Sequence, residues 1–238
     1  MTERQTEVAA WFDRTYQTAG FKYLRPIEAY PIFLQLLDGK PGERLLDVAC
    51  GLGLLLKAAT LRDIQPTGID ISAAAIEIAQ RFVPQADLRV GNVEQLPFAD
   101  GAFDMLTCIG ALERFLDRER ALQEMHRVLT PTGRMCVMVR NAQGVGWKVW
   151  RKWLGQQNHT GHQDAKTLEQ WRALLESQGF DVQGVYMDQW GRQKLRRLLR
   201  GFRPRDLTQP EPVARPLLSL RLAYEFILIL RKRERPTA

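Results

Sequence analysis

The sequence predicts an α/β protein built on a parallel sheet with crossover helices. Three observations support this fold class. Apolar strand-like runs alternate with helical patterns through the middle of the chain, as is typical of βαβ units. A glycine turn joins the first predicted strand to the first helix. The 238 residues, 45% of them apolar, suffice for one good core. Strands are predicted at 44–48, 66–70, 87–90, 104–109 and 134–139.

Residues that favour helix N-caps and helix ends indicate where the predicted helices begin and end. They are expected near 53–62, 72–82 and 117–129, with Ser72 as the N-cap of the second. A capping box at 167–170 opens a later helix that Gly179 ends. A sixth strand is predicted at 181–186 and a last strand at 220–230.

The glycine turn lies in the stretch 44–53, RLLDVACGLG. Glycines there let the main chain approach a ligand closely, beside the positive end of a helix dipole. Asp70 follows Gly51 by 19 residues, and an acidic residue about 20 positions on takes ribose hydroxyls in nucleotide-binding units. The run 54–56 is Leu-Leu-Leu, without the third glycine of NAD sites or the lysine of a phosphate-binding loop. A smaller adenosine ligand is therefore favoured.

Four motifs occur in order along the chain: residues 45–53, 68–72, 91–98 and 124–133. With them the chain resembles the class I S-adenosylmethionine-dependent methyltransferases, in the small-molecule branch similar to the ubiquinone/menaquinone-type enzymes. The resemblance covers about residues 40–140. It implies a Rossmann-like, mostly parallel seven-stranded sheet with helices on both faces, and an antiparallel last strand as edge partner.

The resemblance also implies a cofactor site for S-adenosylmethionine, with S-adenosylhomocysteine as product. Asp47 and the turn would face the amino-acid part, and Asp70 the ribose. Asn92, where the family usually has Asp, would accept from the adenine amino group; a capping or turn role is the alternative for Asp47 and Asn92. Another departure is Ala49, where many members have Gly. The predicted cofactor-binding residues are Tyr23, Asp47, Cys50, Gly51, Gly53, Asp70, Ile71, Asn92, Val93 and Ile109.

Methyl transfer is an in-line displacement that needs a base only when the acceptor must lose a proton. The candidates for this base are His159 and His162, in the connection 140–166, and Glu113, which follows the fourth strand. For Glu113 a role as surface partner of Arg114 or Arg118 is equally open. The histidines show no metal-ligand spacing, so no metal is predicted.

Four regions are expected. Residues 1–38 form an aromatic-rich helical cap, in which Tyr16 and Tyr23 either cover the ligand or anchor the cap to the core. Residues 39–190 form the cofactor-binding domain. Residues 191–218 form a basic amphipathic helix and a Pro-rich insertion, and residues 219–238 contribute the last strand and the tail.

The formal charge of +7 is concentrated near the C-terminus, where residues 190–238 hold 13 Lys/Arg against 4 Asp/Glu. The basic helix would meet an anionic acceptor or a membrane surface, or simply be a solvated cap. Three cysteines in apolar runs, no signal sequence and no long apolar run indicate a cytoplasmic protein.

The favoured function is methylation, at oxygen, of a small or lipid-like acceptor. Two alternatives stay open. One is an RNA-modifying methyltransferase that uses the basic C-terminal region for phosphate contacts. The Asn/Asp-Pro-Pro-aromatic motif of enzymes that methylate base amines is absent, and nucleic acid is disfavoured as a partner. The other is a non-catalytic subunit that retains the cofactor fold. The sequence leaves the oligomeric state undetermined.

Overall fold

The computed structural model describes residues 2–144, 164–188, 206–209, 213 and 223–233. They form one seven-stranded sheet with the order β3-β2-β1-β4-β5-β7-β6. The first five strands run parallel, and β7 pairs antiparallel with β5 and β6. The predicted fold class is confirmed. The strands are β1 (Arg44–Val48), β2 (Gln65–Asp70), β3 (Asp87–Val90), β4 (Phe103–Ile109), β5 (Leu129–Arg140), β6 (Phe180–Met187) and β7 (Glu225–Lys232).

The last strand differs from expectation in its place and its start. β7 lies between β5 and β6, not at an edge, and it begins at Glu225 instead of residue 220. Its apolar residues explain the inner place, because 226–230 are buried on both faces. Phe226 and Leu228 pack in the core of one face, and Ile227 packs in the core of the other. A strand without a polar face needs cover on both sides.

Helices cover both faces of the sheet. On one face α5 and α6 pack around Trp171 and Met125, and on the other α2 and α3 pack around Phe33 and Leu55. Ser72 caps α4 as predicted, by accepting from the Ala75 N–H at 3.0 Å. The helices are α1 (Glu3–Ala19), α2 (Pro31–Leu36), α3 (Leu54–Thr60), α4 (Ala73–Phe82), α5 (Arg118–Val128) and α6 (Leu168–Ser177).

The N-terminal segment is attached to the rest of the fold by polar contacts as well as aromatic ones. Asp13 of α1 accepts from the Ser72 hydroxyl at 2.6 Å and from the Ala74 N–H at 3.0 Å, which fixes α1 to the start of α4. None of the helices in the described part of the chain is long and apolar enough to cross a membrane. The predicted division into four regions stays a prediction, and most of the basic insertion at 191–218 lies outside the described residues.

The motif at 124–133 has a structural role that Arg127 explains. Its guanidinium donates to the backbone oxygens of Leu96 and Phe98 at 3.0 and 2.8 Å, and also to Glu124 and Asp100. Replacing Arg127 with Met should lower the free energy of unfolding by about 2–3 kcal/mol, because several acceptors lose a charged donor. Urea denaturation would measure the loss.

Arg81 provides the matched control. It pairs with Glu77 on the surface of α4, where both side chains are about two-thirds exposed. Replacing Arg81 with Met should cost less than about 0.5 kcal/mol, because exposed ion pairs contribute little. Equal losses in the two variants would contradict the role given to Arg127.

Candidate functional site

A cavity of about 330 Å³ opens at the carboxyl ends of the parallel strands. It is lined by residues that follow β1, β2, β3 and β4, and by the N-terminal segment. The chain leaves β1 on one side toward β2 and reaches β4 on the other, so the sheet order reverses here. Open α/β sheets bind their ligands at such a switch point.

Most of the residues predicted for the cofactor line this cavity. Gly53 does not; with a φ of 80° it is the N-cap of α3, and a Cβ there would stand 3.4 Å from Ala79 of α4 and 3.3 Å from Val83, which follows that helix. The other predicted residues do line the cavity, which is compatible with their predicted contacts to the cofactor. Those contacts stay predictions. The residues that do line the cavity are Tyr23, Asp47, Cys50, Gly51, Asp70, Ile71, Asn92, Val93 and Ile109.

Asp70 and the glycine turn form one unit. The Gly51 N–H donates to Oδ2 of Asp70 at 2.8 Å, and the Ser72 N–H donates to Oδ1 at 2.9 Å. Each carboxylate oxygen has lone pairs left after one hydrogen bond. The carboxylate can therefore still accept from a pair of adjacent ligand hydroxyls, as a ribose presents them.

Burial dominates the electrostatics of both aspartates. It raises the pKa of Asp70 to about 6, against the opposing effect of the Ser72 and Gly51 N–H groups. Burial likewise raises the pKa of Asp47 to about 7, although Thr107 donates a hydrogen bond to it at 2.7 Å. Ligand hydroxyls at Asp70 and a ligand ammonium at Asp47 would favour the ionised forms.

The backbone of the turn shows why small residues are needed. Ala49 and Gly51 both have positive φ, of 56° and 52°. A Cβ at Gly51 would stand 2.9 Å from the Tyr16 hydroxyl, so a side chain there would collide with the N-terminal segment. Ala49 accepts the left-handed conformation at a cost of about 1 kcal/mol, which accounts for the glycine more often found there.

Asn92 adopts the capping role that was the alternative to adenine binding. Its Oδ1 accepts from the Glu94 N–H at 3.0 Å and so caps the short 3₁₀ turn Val93–Gln95. The residue also lines the cavity. The two roles are compatible because an amide oxygen accepts two hydrogen bonds.

Helix α1 covers the cavity on the side of Gly51 and Glu94. Gln5 donates to Glu94 at 2.7 Å at one end of α1, and Tyr16 covers Gly51 at the other. The Tyr16 ring contacts the Tyr23 ring edge-on, with 5.7 Å between centroids. Burial, with the nearby Asp70 charge, holds the pKa of Tyr16 well above its usual value, so the phenol stays neutral. Tyr16 is thus the more enclosed of the two tyrosines.

Glu113 is not a surface residue, which corrects the alternative given for it. Its carboxylate is buried and does not line the cavity; its Oε1 lies 3.8 Å from the Arg140 Nε. The Glu113 side chain is buried because its neighbours Ala111 and Leu112 pack in the core. His159 and His162 lie outside the described residues.

The cavity is also lined by residues that the sequence did not single out. Arg140 lies at the carboxyl end of β5. Because ligands bind at the carboxyl ends of parallel strands, its position at the end of a predicted strand could have indicated it. Arg25 and Tyr30 come from the N-terminal segment without any local signal. In the described ranges no group of three or more His, Cys, Asp or Glu side chains could hold a metal ion.

Comparison with known proteins agrees with this architecture. The family described as "methyltransferase domain" matches residues 46–137. Residues 46–137 thus carry a methyltransferase domain, and the sheet order and the crevice at the strand ends are similar to those of the class I S-adenosylmethionine-dependent methyltransferases. A methyltransferase of Burkholderia thailandensis, solved with S-adenosylhomocysteine and 1,6-didemethyltoxoflavin, shares the fold with a TM-score of 0.67 at 15% identity, over 96% of this chain and 88% of that one.

Among its relatives the chain is similar to enzymes of quinone biosynthesis. It is 36% identical over 107 residues to a ubiquinone/menaquinone biosynthesis C-methyltransferase of Geotalea daltonii, covering 41% of this chain and 46% of that protein. It is 35% identical over 136 residues to a ubiquinone biosynthesis O-methyltransferase of Alkalilimnicola ehrlichii, covering 55% of each. The chain thus spans about half the length of these curated relatives.

The raised pKa of Asp70 predicts a pH dependence of ligand binding. The ionised carboxylate is the stronger acceptor for hydroxyls, so the affinity for S-adenosylhomocysteine should rise about tenfold from pH 5 to pH 7. Calorimetry at several pH values would measure it. An affinity that falls over this range would contradict the role of Asp70.

The free energy of unfolding of the unliganded protein should fall as the pH rises, whereas the affinity for the ligand rises. A carboxyl whose pKa is higher when folded stabilises the fold below its unfolded pKa, near 3.8, and that contribution is lost as the pH rises through the folded value. For Asp70 and Asp47 the loss falls between about pH 4 and pH 7. The variant Asp70→Asn should therefore lose less stability than the wild type over this window.

Proposed function

We propose that this chain transfers a methyl group from S-adenosylmethionine to a small or amphiphilic acceptor that carries a hydroxylated, quinone-like ring. The observation that carries the proposal is the unit of Gly51 and Asp70 at the strand ends, which leaves acceptor capacity for a ribose. The relatives support the acceptor class, because one is named a C-methyltransferase and the other an O-methyltransferase of quinone biosynthesis.

We place the acceptor at the part of the cavity that Tyr30, Met138 and Arg140 line. There Met138 supplies apolar surface, Tyr30 supplies aromatic surface, and Arg140 supplies a charge. Pockets for small molecules combine apolar walls with a few placed polar groups in this way.

In this proposal the protein contributes positioning and exclusion of water. The donor, when bound, supplies the activated methyl group and its leaving group. Asp70 holds the ribose, Asp47 the amino-acid part, and Tyr16 closes the crevice above Gly51. An acceptor held in line with the methyl group then reacts without the loss of orientational entropy that slows the reaction in water.

Of the two methylation sites we propose oxygen first and a ring carbon second. The relative that covers more of this chain, 55%, is the one named an O-methyltransferase. The carbon site is the alternative because the other relative is named a C-methyltransferase.

The experiment uses S-adenosylmethionine labelled with ¹³C in its methyl group. Wild-type protein and a heat-denatured control are incubated with cell extract, which is then separated into lipid, RNA and small-molecule fractions. We expect label in the lipid or small-molecule fraction, with the methyl carbon resonance of an ether. A resonance of a ring-bound methyl would replace oxygen by carbon, and label in RNA alone would overturn the proposed acceptor.

A further inference from the structure

Arg114 lines the cavity with a guanidinium that has no polar partner in the described part of the chain. It ends the short 3₁₀ turn Leu112–Arg114, which follows β4. Its Nη1 is shielded from solvent and has no hydrogen-bond partner, and among the described residues its side chain makes no ion pair. A buried donor without an acceptor costs free energy, so such a group in a folded protein calls for an explanation.

The carboxyl that lies next to Arg114 in the chain does not supply the missing acceptor. Glu113 is buried, and neither of its carboxylate oxygens has a hydrogen-bond partner. The nearest cation recorded for it is Arg140, whose Nε lies 3.8 Å from its Oε1. The donors of Arg114 are therefore directed elsewhere.

The other two arginines of the cavity wall differ from Arg114 in this respect. Arg25 donates to Asp188 at 2.9 Å and also to Glu225, and the Nε of Arg140 lies 3.7 Å from Glu225. Of the arginines that line the cavity in the described ranges, Arg114 is the one without an ion pair. Its whole donor fork is available to a ligand.

Packing holds the Arg114 guanidinium in place without using its N–H donors. Its central carbon lies 5.8 Å from the centroid of the Phe12 ring, which is the range of a cation–π contact. Phe12 stacks in turn on Tyr16, with 6.0 Å between centroids, and both belong to α1. At the other end of the side chain, the Arg114 backbone N–H donates to the Ala111 oxygen at 2.8 Å. The cation is thus fixed between the β4 turn and α1.

The turn that bears Arg114 lies beside the part of the cavity where we place the acceptor. The Gly110 N–H, at the start of the turn, donates to the Met138 oxygen of β5 at 2.9 Å. The Glu113 carboxylate reaches toward Arg140 at the end of the same strand. Both contacts join the β4 turn to the end of β5.

We propose that Arg114 binds a carboxylate carried by the acceptor ring and so selects hydroxylated aromatic acids over uncharged rings. The assignment rests on the proposed function. A guanidinium fork matches the two oxygens of a carboxylate with two parallel hydrogen bonds, whereas a single ring oxygen would use less of the fork. In this role Arg114 determines specificity and does not contact the oxygen or carbon that receives the methyl group.

The cofactor carries a carboxylate as well, in its amino-acid part. That part is predicted to lie at Asp47 and Gly51, which follow β1, whereas Arg114 follows β4. We therefore assign Arg114 to the carboxylate of the acceptor. Binding of S-adenosylhomocysteine to the same variants distinguishes the two sources.

The test compares 3,4-dihydroxybenzoate with its methyl ester, titrated by calorimetry into protein saturated with S-adenosylhomocysteine. The ester keeps the ring and both hydroxyls but has no charge. The wild type should bind the acid about tenfold or more tightly than the ester, because hydrogen bonds between two charged groups are strong. We expect no preference in Arg114→Gln and a reduced preference in Arg114→Lys, since lysine keeps the charge but not the planar fork.

Arg89 gives the matched control. Its guanidinium carbon also lies over a phenylalanine ring, 4.7 Å from the Phe98 centroid, but it pairs with Asp87 at 2.8 Å and does not line the cavity. Arg89→Gln should therefore keep the wild-type preference for the acid. Arg114→Gln should bind S-adenosylhomocysteine within about twofold of the wild type, which also verifies its fold.

Four results would overturn the inference. The wild type could fail to prefer the acid, Arg114→Gln could keep the preference, or Arg89→Gln could lose it equally. A loss of S-adenosylhomocysteine affinity in Arg114→Gln, restored in part by Arg114→Lys, would assign Arg114 to the cofactor carboxylate instead. In all four cases the wild type still binds S-adenosylhomocysteine, and the proposed function stands. If the wild type does not bind it, the proposed function itself fails.

Discussion

Replacing Asp70 with alanine is expected to weaken the binding of S-adenosylmethionine by about 100-fold or more. The ribose hydroxyls would lose two hydrogen bonds to the carboxylate, each worth about 1.5–3 kcal/mol because the acceptor is charged. A loss of about 1.4 kcal/mol in binding free energy lowers the affinity tenfold. The Gly51 and Ser72 N–H groups would also lose the acceptor that shapes the turn. Equilibrium dialysis with labelled cofactor would measure the change.

Asp104 offers a matched carboxylate at the opposite end of the sheet. It belongs to β4, accepts from Arg44 at 2.8 Å and does not line the cavity. Asp104→Ala should therefore leave the affinity unchanged within about twofold. Undiminished binding by Asp70→Ala, or equal losses in both variants, would remove Asp70 from the cofactor site.

Replacing Trp171 with alanine is expected to lower the free energy of unfolding by about 3–5 kcal/mol, the range for deleting a large buried aromatic side chain. Trp171 is fully buried in the core that α5 and α6 form on the sheet. Its indole N–H also donates to the Arg140 carbonyl, which would be left without this donor. Denaturant unfolding with a two-state analysis would measure the loss.

Trp171→Phe separates packing from the hydrogen bond. Phenylalanine keeps much of the ring volume but has no donor for the Arg140 carbonyl, so a smaller loss of about 1–3 kcal/mol is expected. A Trp171→Ala variant as stable as the wild type would contradict the packing described.

The pairing of the glycine turn with Asp70 could be predicted because its signals are local. The turn at 44–53 and Asp70 lie within one βαβ unit, and their spacing depends on one strand, one helix and the next strand. The hydrogen bond from Gly51 to Asp70 directly joins the two residues that the spacing had paired. The caps at Ser72 and Thr167 are predictable for the same reason.

The part of the cavity that Arg25, Tyr30 and Arg140 line could not be predicted because its contacts join distant parts of the chain. Arg25 and Glu225 are 200 residues apart, and only the sheet order brings them together. The same order places β7 between β5 and β6, which the apolar run at 226–230 allows but does not specify. For Glu113 the sequence left open a surface pairing with Arg114 or Arg118, whereas the structure buries its side chain.

The most direct test of the central claim is calorimetric titration of the wild-type protein with S-adenosylhomocysteine, compared with NAD and ATP under the same conditions. The account predicts saturable binding of S-adenosylhomocysteine at one site per chain and much weaker heats for the other two, because the turn has no third glycine and no phosphate-binding lysine. Absence of binding by S-adenosylhomocysteine, or equal binding of NAD, would contradict it.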